Sequence, residues 1–189
     1  MPLTKIISGG QTGVDRAALD AALAVDFPCG GWCPADRRAE DGTIPDRYPM
    51  SLLAPCDMEA ATDEVRKTSR SRASDSPLPG NARLARPVGQ GNRPRTLKNV
   101  QGSDGTAILF NQSLTGGTKL TRDLCIREKK PFIVLDAMQI SVERAVKAIV
   151  RFIDENEIQT MNVAGPRASG WTEGYAFALA VVGGVISHV

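Results

Sequence analysis

Three short stretches of this chain hold residues suited to gripping an anion. The first is Ser8-Gly9-Gly10-Gln11-Thr12-Gly13-Val14-Asp15, directly after the apolar run Lys5-Ile6-Ile7. The second is Thr115-Gly116-Gly117-Thr118, and the third is Gly165-Pro166-Arg167. Glycine costs conformational freedom, so clustered glycines mark places that need bare backbone. Where such a turn opens a helix, free N–H groups and the positive end of the dipole together attract negative charge. Thr12, Thr115 and Thr118 add hydroxyls, and Arg167 can clamp a phosphate with two parallel bonds. A single glycine turn often only reverses the chain. Three of them, each after a strand-like run, point to a site for a phosphate-bearing small molecule.

The spacing narrows the chemistry. Gly9-Gly10-Gln11-Thr12-Gly13 does not fit the G-x-G-x-x-G dinucleotide fingerprint, and Lys119 follows Gly117-Thr118 at the wrong distance for a P-loop lysine. Ordinary NAD chemistry and ATP hydrolysis are therefore disfavoured.

The elements that must position these turns can be read from apolar periodicity. Lys5–Ser8 reads as a buried strand. Val14, Ala17, Ala18, Ala21, Ala22 and Val25 then recur at helical spacing on one face. Residues 28–57 hold five prolines and read as a long, mostly irregular loop of the functional kind. Strands are expected at Thr106–Phe110, Phe132–Asp136 and Met161–Ala164, and helices at Gly116–Lys129 and from a Ser141 cap through Ile153. A last helix, roughly Thr172–Ile186, is apolar nearly all round, so it is either deeply buried or shared with a second subunit. Strand–helix alternation of this kind predicts an α/β fold, a parallel sheet with helices on both faces. In such sheets ligands bind beyond the carboxyl ends of the strands, where all three turns would lie.

Composition bounds the rest. The chain has 189 residues, enough for one domain spanning 1–189 with a good core. No apolar run approaches the roughly 20 residues that span a bilayer, and a strand follows the N-terminus too closely for a signal peptide. A cytosolic protein is expected. Cys29, Cys33, Cys56 and Cys125 match no zinc spacing, so they are expected to be reduced packing thiols, with no metal site. The net charge of +2 is uneven: residues 66–98 carry nine Lys/Arg and one Asp, and the remainder sums to −6. That basic stretch is rich in Arg, Ser, Pro and Gly and has no period, so it reads as a mobile insert. Without aromatic residues to stack on bases, it makes a poor nucleic-acid arm.

Taken together, "IISGGQTGVDRAALDAAL", "GGWCPADRRAEDGTIPDRYP", "SDGTAILF", "LTGGTKLT", "PFIVLD" and "NVAGPR" resemble the family known as "putative molybdenum carrier" proteins. That family is similar to a circularly permuted YpsA-like protein. It sits in the Rossmann-like SLOG superfamily with the LOG phosphoribohydrolases and the DNA-processing protein DprA. The resemblance spans the chain except about residues 60–94. It implies a Rossmann-like three-layer sandwich, with a mainly parallel sheet in circularly permuted order. The "NVAGPR" turn, which opens the unpermuted relatives, here comes near the end. It also implies a molybdenum cofactor or another nucleotide-like ligand over Gly9, Gly10, Gln11, Thr12, Gly13, Thr115, Gly116, Gly117, Thr118, Gly165, Pro166 and Arg167. The loop from Gly30 to Pro34 with Arg37–Gly42 would fold over it as a lid, Trp32 stacking on a flat ring or simply packing on the sheet edge.

Two departures stand out. The hydrolase relatives place a glutamate just after their second turn; here Thr121 stands three residues past Thr118, followed by Asp123 and Glu128. General acid/base cleavage then lacks its main agent, leaving Asp15, Glu40, Asp41 and Glu173 as substitutes, with Asp15 and Glu173 the foremost catalytic candidates. The basic insert is the other departure. Three functions follow as expectations: a non-catalytic carrier of a phosphate-bearing small molecule, a LOG-type nucleotide N-glycosidase, and a DNA-binding protein using residues 66–98. Gly183-Gly184 in the last helix would let two subunits approach as a homo-oligomer.

Overall fold

The computed structural model describes residues 3–54 and 93–189. Six strands form one all-parallel sheet in the order β5-β2-β1-β8-β6-β7: β1 Lys5–Ile7, β2 Cys29–Cys33, β5 Met50–Leu52, β6 Gly105–Phe110, β7 Phe132–Asp136 and β8 Thr160–Ala164. A two-residue antiparallel hairpin, β3 Arg38–Ala39 with β4 Gly42–Thr43, stands apart from it. Helices α1 Val14–Leu23, α4 Val142–Glu155 and α5 Gly174–Ile186 pack together in one layer. Helices α2 Arg93–Gln101 and α3 Gly116–Arg127 pair in the other. Right-handed crossovers require this split, because β1-α1-β2 and β6-α3-β7 step in opposite directions along the sheet.

The strand order carries the mark of the permutation. Counted from β8, the strands β8, β1, β2 and β5 step outward one after another on one side, and β6 and β7 on the other. The last strand, β8, thus lies in the interior of the sheet with the first, β1, hydrogen-bonded beside it.

The periodic faces pack as expected. Val14, Ala17, Ala18, Ala21 and Ala22 are fully buried or nearly so against the sheet. Val25, expected on that face, lies past the end of α1 and is 60% exposed. Ser141 caps α4 by accepting from the Arg144 amide at 3.4 Å, and Ala145, Val146, Ile149, Phe152 and Ile153 face the core. Helix α5 buries Ala178, Val181, Val182 and Val185. Its Gly184 makes the close approach within the chain: a Cβ there would lie 2.6 Å from Val146 Cγ2.

Two expectations need correction. Residues 28–54 are not an irregular loop, because they supply β2, β5 and the hairpin; residues 55–57 lie outside the described part. Nor is the basic stretch an insert throughout. Residues 93–98 begin α2, with Pro94 and Arg95 buried, while 66–92 lie outside the described residues.

The segment between the hairpin and β5 is tied down by one carboxylate. Asp20 on α1 accepts from Tyr48 Oη at 3.0 Å, Tyr175 Oη at 2.8 Å and Arg47 Nη2 at 3.3 Å. Tyr48 is 1% exposed and its hydroxyl also accepts from Arg47 Nη2 at 2.7 Å, so Asp20→Ala would leave the buried hydroxyl proton without its acceptor, a loss of about 1 kcal/mol. Burial and the neighbouring Asp20 push Tyr175 up to about 12, and burial also raises Tyr48. These are the chain's two tyrosines. We therefore expect tyrosinate absorbance to stay absent past the ordinary phenol range, around pH 10, and to shift down in Asp20→Ala. A spectrophotometric titration checks both points; a normal wild-type midpoint would refute the clamp.

Candidate functional site

Because the sheet is wholly parallel, every βα turn leaves from the same edge. The first turn follows β1 and the third follows β8, and these strands are hydrogen-bonded neighbours. The two turns are in direct contact. Gly13 has φ +76°, and a Cβ on it would stand 2.7 Å from Pro166 O and 2.8 Å from Ala168 N. The Val14 amide donates to Pro166 O at 3.3 Å. A Cβ on Gly165 would lie 2.4 Å from Leu109 O. These glycines are bare because backbone packs on backbone.

A carboxylate already occupies the junction. Glu40, between the strands of the hairpin, accepts from the Thr12 hydroxyl through Oε1. The Ser169 amide donates to the same oxygen at 3.2 Å, and the Ser169 hydroxyl donates to Oε2 at 2.7 Å. Arg167 Nε lies 3.4 Å from Oε2. Burial pushes the Glu40 carboxyl up, but the bonds from Thr12 and Ser169 and the charge of Arg167 outweigh it and hold the group below the usual carboxylate range. Thr12 Oγ1 in turn accepts from the Ala168 amide at 3.2 Å. Gln11 Oε1 accepts from the amides of Thr12 (3.1 Å) and Glu40 (2.9 Å). Arg16 holds Asp41 through two bonds at 2.5 and 2.8 Å. The hairpin is thus fastened over the first turn, where a lid was expected, and several of the turn amides have side-chain partners.

The second turn differs. Thr115 begins α3 without a side-chain cap bond, Gly116 has φ +49°, and nothing lies within 4 Å of a Cβ built on Gly116 or Gly117. Thr115, Gly116 and Gly117 are exposed, whereas Thr118 is buried. This turn sits at the same edge as the others but makes no hydrogen bond to either among the described residues.

The remaining candidates scatter. Asp15 is buried behind Gly9 and accepts from the Gln11 amide at 3.2 Å. Burial raises its carboxyl above the ordinary range, with Arg95 the main opposing charge. Glu173 is exposed at the start of α5 and shares no hydrogen bond with Asp15. Trp32 is clipped by Asn99, whose side chain bonds its amide (2.9 Å) and its carbonyl (3.1 Å). Lys98 Nζ lies 5.4 Å from the centre of the indole, a cation–π distance, so that ring has a partner within the fold. The described cysteines are free thiols whose pKa burial raises. No group of three or more His, Cys, Asp or Glu among the described residues could hold a metal ion, and no described helix is long and apolar enough to cross a membrane.

Sequence reasoning missed four residues at this edge. Ser169 holds Glu40. Asn111, just after β6, keeps a buried Oδ1 without a partner, and Arg95 keeps a buried Nη1 in the same condition. Gln112 lines a cavity of about 620 Å³ at the ends of β6 and β7, with Phe110, Asp136, Ile140 and Arg144 around it. None of its lining residues belongs to the three glycine turns. Leu97 and Val100, three apart and packed on α3, were a signal for α2 that the surrounding charge obscured.

Fold and edge together define a Rossmann-like α/β protein whose permuted sheet converges two glycine turns on one anion. The chain belongs to the circularly permuted YpsA SLOG family, whose model matches residues 6–75 and 68–186. The two matched segments meet inside the basic stretch. It is similar to a crystal structure of a "putative molybdenum carrier protein" from Syntrophus aciditrophicus, at 35% identity over 97% of this chain and 95% of that one, with a TM-score of 0.75. No curated protein matches the chain.

Proposed function

We propose that this protein binds and carries a phosphate-bearing, nucleotide-like small molecule at the carboxyl edge of its sheet, a molybdenum cofactor being the form that its structural relative suggests. One observation carries the reading. The Glu40 carboxylate is held by the Thr12 hydroxyl, the Ser169 amide and hydroxyl, and the Arg167 guanidinium, the donor set that a phosphoryl group would use. The ligand's anion takes these donors in place of Glu40. The open α3 N-terminus at Gly116 and Gly117 offers further amides to the same molecule. Binding without turnover fits the placement of Asp15, which is shut behind Gly9.

Thermal denaturation with pyrophosphate, nucleotides and pterin cofactors tests the proposal. A ligand at a hundred times its Kd should add about 2.7 kcal/mol of stability. No shift with any phosphate compound would refute it. Release of free base from a nucleoside monophosphate, abolished by Asp15→Asn or Glu173→Gln, would replace the carrier with an N-glycosidase.

A further inference from the structure

Arg95 is a charged side chain that closes no ion pair among the described residues, although the buried Asp15 carboxyl stands near enough to feel its charge. It is 8% exposed in α2, and its guanidinium packs against Gly9 of the first turn. A Cβ on Gly9 would stand 3.1 Å from its Nε and 3.2 Å from its Cζ. Only a glycine leaves that space. The guanidinium forms no hydrogen bond or ion pair among the described residues, and its Nη1 is sealed from solvent without an acceptor. Asp15 Oδ2 lies 2.8 Å from the same Cβ position, yet the two side chains do not close into an ion pair. Burying an unpaired charge costs several kcal/mol, and a fork of N–H donors is shaped for an oxyanion. A sequence that sought only stability would place an apolar side chain there.

We propose that Arg95 is an anion-binding residue, the charged anchor of a subsite for a tetrahedral oxyanion against the Gly9 side of the first turn. This rests on the carrier reading and adds a contact to it, separate from the Thr12–Ser169–Arg167 donors. The oxyanion is either the phosphoryl group of the ligand or a metal oxyanion such as molybdate; both have the charge and shape that the guanidinium fork accepts. The full chain settles this with two variants, Arg95→Met and Arg95→Lys. Melting temperature is measured without ligand, and affinity for pyrophosphate and for molybdate by calorimetry.

Arg95→Met is expected to melt no lower than wild type, while its affinity for one of the two anions falls by roughly ten- to a hundredfold. Arg95→Lys should retain part of the binding, having the charge without the fork. Loss confined to pyrophosphate assigns the subsite to the ligand's phosphate, and loss confined to molybdate assigns it to the metal oxyanion. A lower melting temperature with unchanged affinity would overturn the proposal and leave Arg95 a structural residue. If Arg95→Met does not fold, equal binding by Arg95→Lys and wild type overturns it. Wild type that binds neither anion, nor any phosphate compound in the thermal assay, brings down the carrier reading and this inference together. Wild type that binds them while Arg95→Met binds equally well brings down the inference alone.

Discussion

Gly13→Ala is expected to cost about 3 kcal/mol or more and to remove phosphate binding. Two effects add. The residue sits at φ +76° and ψ −127°, outside the left-handed helical well, where an L side chain is strained by about 1–3 kcal/mol. Its Cβ would also meet Pro166 O at 2.7 Å, Arg167 C at 2.9 Å and Ala168 N at 2.8 Å. These are backbone atoms, with no rotamer through which to yield, so the third turn must shift away from the first. That shift parts the Ala168 amide from Thr12 and moves Ser169 away from Glu40. A domain of this size loses roughly 2–4 °C per kcal/mol, so a fall of about 6 °C or more should appear in a melt. Gly117→Ala is the matched control: its Cβ would enter open space within a helix, where alanine gains up to about 1 kcal/mol over glycine. It should fold at least as well as wild type. Equal losses in the two variants would show that close backbone packing is not what Gly13 provides.

Close backbone packing of this kind also decides which elements are legible in the sequence. Four strands were legible, β1, β6, β7 and β8, because each is a run of apolar residues ending in a turn. Strands β2 and β5 were not. Cys29-Gly30-Gly31-Trp32-Cys33 looks like a loop, yet it is a strand in which Gly31, at φ +138°, stands where a Cβ would fall 1.9 Å from Ser8 O. Glycine there allows one strand to press against the end of another, and composition cannot tell that from flexibility. Met50-Ser51-Leu52 is a short outermost strand, too brief for a period to show. Helix α2 was hidden by its two arginines and by Pro94. A charge is usually read as solvated, and Arg95 is buried.

The candidate site was legible as three turns, but the reason for their glycines was only partly so. Gly13 and Gly165 accommodate neighbouring backbone, and only Gly116 and Gly117 stand open. Glu40 was visible in the sequence as a spare carboxylate. Its position inside the cradle depends on a hairpin with Gly42 at φ +121° that folds it back some thirty residues along the chain to Thr12, and no local pattern encodes that distance.

Glu40→Gln is the second large expectation, and it moves stability and binding in opposite directions. The substitution preserves shape while removing the charge that Thr12, Ser169 and Arg167 hold. Hydrogen bonds to a charged group are worth more than neutral ones, but Glu40 is exposed and solvent screens its charge, so stability at about pH 7 should fall by up to about 1 kcal/mol. The sign with pH follows from the lowered carboxyl. A carboxylate whose pKa is lower folded than unfolded stabilises above its unfolded value, here near 4.5, and that contribution disappears as pH falls through the folded value. Urea midpoints of wild type and variant should therefore converge in acid. Binding should go the other way. If the ligand's phosphate takes the donors that Glu40 now occupies, removing the competing charge raises pyrophosphate affinity by about tenfold or more, the equivalent of 1.4 kcal/mol. Tighter binding to a less stable protein is a combination that general loosening of the fold does not produce. Weaker binding in Glu40→Gln would mean that Glu40 holds the ligand rather than its place, and the proposed competition for the cradle would be wrong.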